Sequence, residues 1–66
     1  MKLIVNGETK ESPGGTTVFD LIQEVGLGGR AVAVEVNRQI VTKADQQATV
    51  LNAGDEVELV TLVGGG

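Results

Sequence analysis

Apolar positions along this chain fall into a short opening run, two stretches of period two and one of period about 3.6. The first stretch, Met1 to Asn6, is a short apolar run ended by Asn6-Gly7, a dipeptide that takes φ > 0 readily and closes a two-residue hairpin. Glu8 to Ser12 then returns as a polar second strand. Glu8, Lys10 and Ser12 share one face and Thr9 and Glu11 the other, a pattern suited to a charge-protected sheet edge. Pro13-Gly14-Gly15 breaks that strand. The helical rhythm follows, with Val18, Leu21, Ile22 and Val25 at i, i+3, i+4 and i+7. Thr17 is placed as its N-cap, Asp20 completes an acidic capping box, and Gly26 stands where a left-handed C-cap belongs. Phe19 lies beside the apolar stripe and is expected to cover the edge of the core rather than stack on a ligand.

After the loop Leu27 to Arg30, strict alternation over Val32-Ala33-Val34-Glu35-Val36-Asn37 puts three valines on one face of a central strand. Arg38-Gln39 reads as a turn into a short strand at Ile40-Val41. The polar stretch Thr42 to Thr49 has no periodicity, so packing in this region is expected through Ile40, Val50 and Leu51. Asn52-Ala53-Gly54-Asp55 is a turn by composition. The last strand, Glu56 to Val63, buries Val57 and Leu59 and turns Glu58 outward. Alternation then leaves Val60 and Leu62 on the outer face, a docking patch unless a bulge or strand twist buries one of them. The element order is strand, strand, helix, strand, short strand, strand. This is an α+β chain with a mixed sheet of four to five strands and one main helix across one face.

Size and composition narrow the chemistry. The 66 residues allow one small domain. There is no Cys and no His, so a thiolate or imidazole metal site and a Cys/His or Ser/His/Asp constellation are all excluded, and Ser12 has no base to activate it. Nine acidic residues against five basic ones give a net charge of −4, and Phe19 is the only aromatic. A basic, aromatic-lined nucleic-acid groove is therefore ruled out, and a basic protein partner is favoured. No apolar run reaches the roughly 18 residues of a membrane span, and no leader pattern opens the chain, so a cytoplasmic location is expected. The chain reads as a carrier, substrate or binding module, not an enzyme.

The glycines hold the remaining signal. Gly14-Gly15-Thr16-Thr17 precedes a helix but lacks the lysine of a phosphate-binding loop, so turn geometry explains it. Asp55, Glu56 and Glu58 read as solvent-facing charges rather than an acid/base pair. Gly64-Gly65-Gly66 has no side chains to pack and a high entropic cost of ordering, which predicts a flexible arm over residues 64–66 following a domain over residues 1–63. An arm without Cβ atoms fits a narrow tunnel in another protein and presents a carboxylate there.

Five segments in this order resemble the ThiS family of thiamine-biosynthesis sulfur carriers over essentially the whole chain. They are Met1-Lys2-Leu3-Ile4-Val5-Asn6-Gly7-Glu8, the Thr17-Val18-x-x-Leu21-Ile22 helix start, Val32-Ala33-Val34-Glu35-Val36-Asn37, Gly54-Asp55-x-Val57-Glu58 and Val63-Gly64-Gly65-Gly66. Where many such carriers place an aromatic in the loop before the last strand and often a proline near its end, this chain has Asp45-Gln46-Gln47 and Val50. The resemblance implies a β-grasp, ubiquitin-like fold. It also implies that a ThiF-like enzyme adenylates the Gly66 carboxylate with ATP. A cysteine desulfurase or other donor supplies sulfur for a thiocarboxylate, and thiazole synthase takes that sulfur into the thiazole ring. On this reading Gly64 and Gly65 enter the partner's tunnel, Val60 and Leu62 dock, and the chain itself binds no cofactor and no metal. The small subunit of molybdopterin synthase, a ubiquitin-like modifier and a non-covalent interaction domain are the alternatives.

Overall fold

A computed structural model describes residues 1–62 of the chain. Strand β1 (Lys2–Val5) and strand β2 (Glu8–Glu11) form the expected hairpin, with Val5 opposite Glu8. Asn6 and Gly7 between them have φ of 50° and 82°, the two positive values that a tight turn matched to strand twist requires. Helix α1 (Val18–Glu24) follows. Both halves of its capping box are present. The Asp20 N–H donates to Thr17 Oγ1 and the Thr17 N–H to Asp20 Oδ2, each at 3.1 Å. Gly26, at φ 82°, closes the far end.

Strands β3 (Val32–Val36), β4 (Gln39–Val41) and β5 (Glu56–Thr61) complete a five-stranded sheet of order β2-β1-β5-β3-β4, and a short 3-10 turn spans Lys43–Asp45. The sheet is mixed, because β1 and β5 run parallel while the other pairs are antiparallel. β2 lies at the sheet's edge, as its charges predicted. This is the expected β-grasp arrangement.

One face of the sheet and one face of the helix enclose the core: Leu3, Val18, Leu21, Ile22, Val34, Leu51, Val57 and Leu59. Val25, Val32 and Val36 pack around it. Phe19, expected at the edge of the core, is 38% exposed. Position 19 is one residue past Val18, about 100° around the helix from the buried stripe.

One expectation about packing is corrected, in β4. The turn falls on Asn37-Arg38, with φ of 50° and 69°, one residue earlier than the expected Arg38-Gln39. Strand pairing therefore starts at Gln39 opposite Val36, which sets Val41 opposite Val34 and Ile40 opposite Glu35. A one-residue shift exchanges the faces of a strand. Val41 packs against the core, and Ile40, expected inside, is 78% exposed. Val50 is exposed as well, so Leu51 alone of the expected three is buried.

Candidate functional site

Gly64, Gly65 and Gly66 lie outside the described residues, as does Val63. The described structure holds the strand that leads to them. β5 is the middle strand, flanked by β1 on one side and β3 on the other. Its pairing with β3 runs without interruption from Val57 opposite Val36 to Thr61 opposite Val32, and the Leu62 N–H donates to the Ala31 carbonyl at 3.0 Å. No bulge intervenes, so Val60 and Leu62 stay outward as alternation predicts, 57% and 59% exposed.

Two asparagines fasten β5 from either side. Strand β1 pairs with it only at Ile4 opposite Glu56 and Val5 opposite Val57. Beyond that point the Asn6 side chain continues the pairing. Its Nδ2 donates to the Leu59 carbonyl at 3.1 Å and its Oδ1 accepts from the Leu59 N–H at 2.8 Å, the two bonds a further strand residue would make. Asn37 does the same at the start of β5. Its backbone N–H donates to the Glu56 carbonyl at 2.8 Å, and its Oδ1 accepts from the Glu56 N–H at 3.0 Å. The Asn37 Nδ2 also donates to Asp55 Oδ1 at 3.0 Å, while Asp55 Oδ2 accepts from the Asn52 N–H at 2.8 Å.

Asp55 is therefore a structural acceptor that shapes the loop before β5, not the plain solvent-facing charge expected of it. Both asparagines sit at φ 50° in turns, and the sequence signalled the turns alone. Nothing in a strand pattern signals that a turn side chain will reach a neighbouring strand. The Gly14-Gly15 segment is a turn, as expected, with the Thr16 hydroxyl donating to the Pro13 carbonyl at 2.6 Å.

The outer face of the sheet carries the rest of the site. Cross-strand neighbours there are Ala33 with Val60, Glu35 with Glu58 and Glu35 with Ile40, and Ile4 with Glu56 lies on the β1 side. Val60 and Ile40, distant in sequence, thus flank one groove that Glu35, Glu58 and Lys43 also line. Among the described residues no group of three His, Cys, Asp or Glu is arranged to hold a metal ion. No helix among them is long and apolar enough to cross a membrane. The arrangement presents an outer sheet face of mixed apolar and acidic side chains and a strand, β5, paired on both sides.

Comparison with known proteins agrees in family and fold. The model of the ThiS family matches residues 3–66. A crystal structure of the thiamine biosynthesis protein ThiS from Geobacter metallireducens superposes over the whole of both chains with a TM-score of 0.81 at 30% identity. The sulfur carrier protein ThiS of Escherichia coli is 24% identical over the whole of both chains. A thiazole synthase of Paramagnetospirillum magneticum is 42% identical to this chain over all 66 residues. The chain spans only 20% of the length of that protein and of a thiazole synthase from Magnetococcus marinus.

Proposed function

The chain belongs to the ThiS family, and from that premise we propose that it is the sulfur carrier for the thiazole ring of thiamine, with the Gly66 carboxyl group as the carrying atom set. The observation that carries this reading is the family match over residues 3–66, which takes in the terminal glycines, together with the fold shared with a ThiS structure. A carboxylate is a poor electrophile until a good leaving group is attached. A ThiF-like enzyme supplies that group. The Gly66 carboxylate oxygen attacks the α-phosphorus of ATP, pyrophosphate leaves, and an acyl adenylate results. Sulfur then attacks the carbonyl carbon, either as sulfide from a donor or as the persulfide of a cysteine desulfurase. AMP departs, so one C–O bond is exchanged for one C–S bond. In the second case a further thiol cleaves the resulting S–S bond, leaving as a disulfide and releasing the thiocarboxylate. Thiazole synthase takes the sulfur from the resulting thiocarboxylate, and the two thiazole synthases that contain a stretch matching this whole chain support that pairing.

ATP and the catalytic groups belong to the partners, which suits a sequence without Cys or His. This chain contributes Gly66 as the modified residue, Gly64 and Gly65 as the part that threads a narrow passage, and Val60 and Leu62 as docking residues. Work of this kind is done in the cytoplasm, where ATP and reduced sulfur are at hand. Appending one alanine after Gly66 should abolish thiocarboxylate formation by the adenylating enzyme while leaving the circular dichroism spectrum unchanged. Normal thiocarboxylate formation in that variant would contradict the proposal. Val60→Asp with Leu62→Asp should weaken binding of the adenylating enzyme by about tenfold or more, because exposed apolar anchors beside a reactive terminus orient it. Unchanged binding would remove these two residues from the site.

A further inference from the structure

The outer face of the sheet contains an arrangement that makes poor sense in a free sheet. Glu35 on β3 stands directly opposite Glu58 on β5, and these are interior strands of the sheet. Directly opposed like charges on adjacent strands destabilise a sheet, whereas a Thr or a Lys at either position would favour it. Glu56 follows on the same face of β5, two residues before Glu58. Among the described residues none of these three carboxylates forms an ion pair, although Lys43 lines the same groove. The pair is bordered by exposed apolar groups, with Ile40 opposite Glu35 on one side and Val60 opposite Ala33 one step along.

We propose that this face docks a partner protein that brings an arginine or lysine between Glu35 and Glu58 while its apolar surface covers Val60 and Ile40. The cation turns the repulsion of the free chain into attraction on binding, and the surrounding apolar groups exclude water from the contact and strengthen it. Continuity with the terminus supports this placement, since β5 carries Glu58 and Val60 and leads on to Gly64–Gly66. The proposal rests on the carrier reading, deepening it by naming the charge that the partner must present.

The test uses the full chain, with the thiazole synthase and the ATP-dependent adenylating enzyme of the same pathway as binding probes. In the double variant Glu35→Gln/Glu58→Gln, thermal stability should be unchanged or raised. Affinity for at least one probe should fall by about tenfold or more, and the dependence of that affinity on salt should flatten. Glu8→Gln/Glu11→Gln on edge strand β2 removes the same net charge and should leave affinity within about twofold. Equal affinity of the first variant and the wild type for both probes overturns the proposal. So does an equal loss in the β2 control, or a wild-type chain that binds neither probe. Sulfur loading of Gly66, followed by mass in the same samples, reports on the carrier reading independently of all three results.

Discussion

Asn6, Asn37 and Arg38 all occupy the left-handed backbone region, yet the structure uses them differently. The asparagines tolerate that region better than most residues and then give their side chains to β5. Arg38, at φ 69°, makes no such return among the described hydrogen bonds and ion pairs, and its Cβ is strained there. Opposite outcomes are therefore expected from the same kind of substitution. Arg38→Gly should stabilise the chain by about 0.5–1 kcal/mol, because glycine is the residue that a turn of this type prefers. Asn6→Gly keeps an allowed turn but leaves both backbone groups of Leu59 without their partner, and should cost about 1–2 kcal/mol. Urea unfolding of both variants measures this contrast, and an Asn6→Gly variant as stable as the wild type would remove the bridging role.

At the scale of elements, helix α1 was legible residue by residue, because its cap, its stripe and its terminating glycine are all local signals. The hairpin at Asn6-Gly7 and the edge position of β2 were legible for the same reason. Strand β4 was not. Its three residues are too few to establish a rhythm, and its phase depends on which dipeptide makes the preceding turn. Asn37-Arg38 lacks the glycine that advertises such a turn, so the phase was read one residue late and Ile40 changed places with Val41. This assignment is testable directly. Ile40→Asp should alter stability by less than about 0.5 kcal/mol, as exposed substitutions do, whereas Val41→Asp should cost about 2 kcal/mol or more by placing a charge against the core. Comparable costs for the two would contradict the observed register. Val60 and Leu62 were legible because alternation, once begun at Val57, has no bulge to reset it.

For the whole molecule, the division of labour follows from what the chain has and lacks. It has a core under one helix, a central strand fastened on both sides, and an outer face that mixes exposed apolar groups with carboxylates that form no ion pair among the described residues. It has no Cys and no His. Fold and family could be reached from residues 1–62 together with the terminal glycines, whereas the proposed chemistry, placed in partners and in one carboxyl group, is displayed by no side-chain geometry. The decisive measurement is the intact mass of the chain after incubation with ATP, a thiamine-pathway adenylating enzyme and a sulfur source. A gain equal to the exchange of one oxygen for one sulfur, localised to Gly66 by fragmentation, is the predicted result. An unchanged mass, with the same enzyme active on a proven carrier, would contradict the sulfur-carrier account.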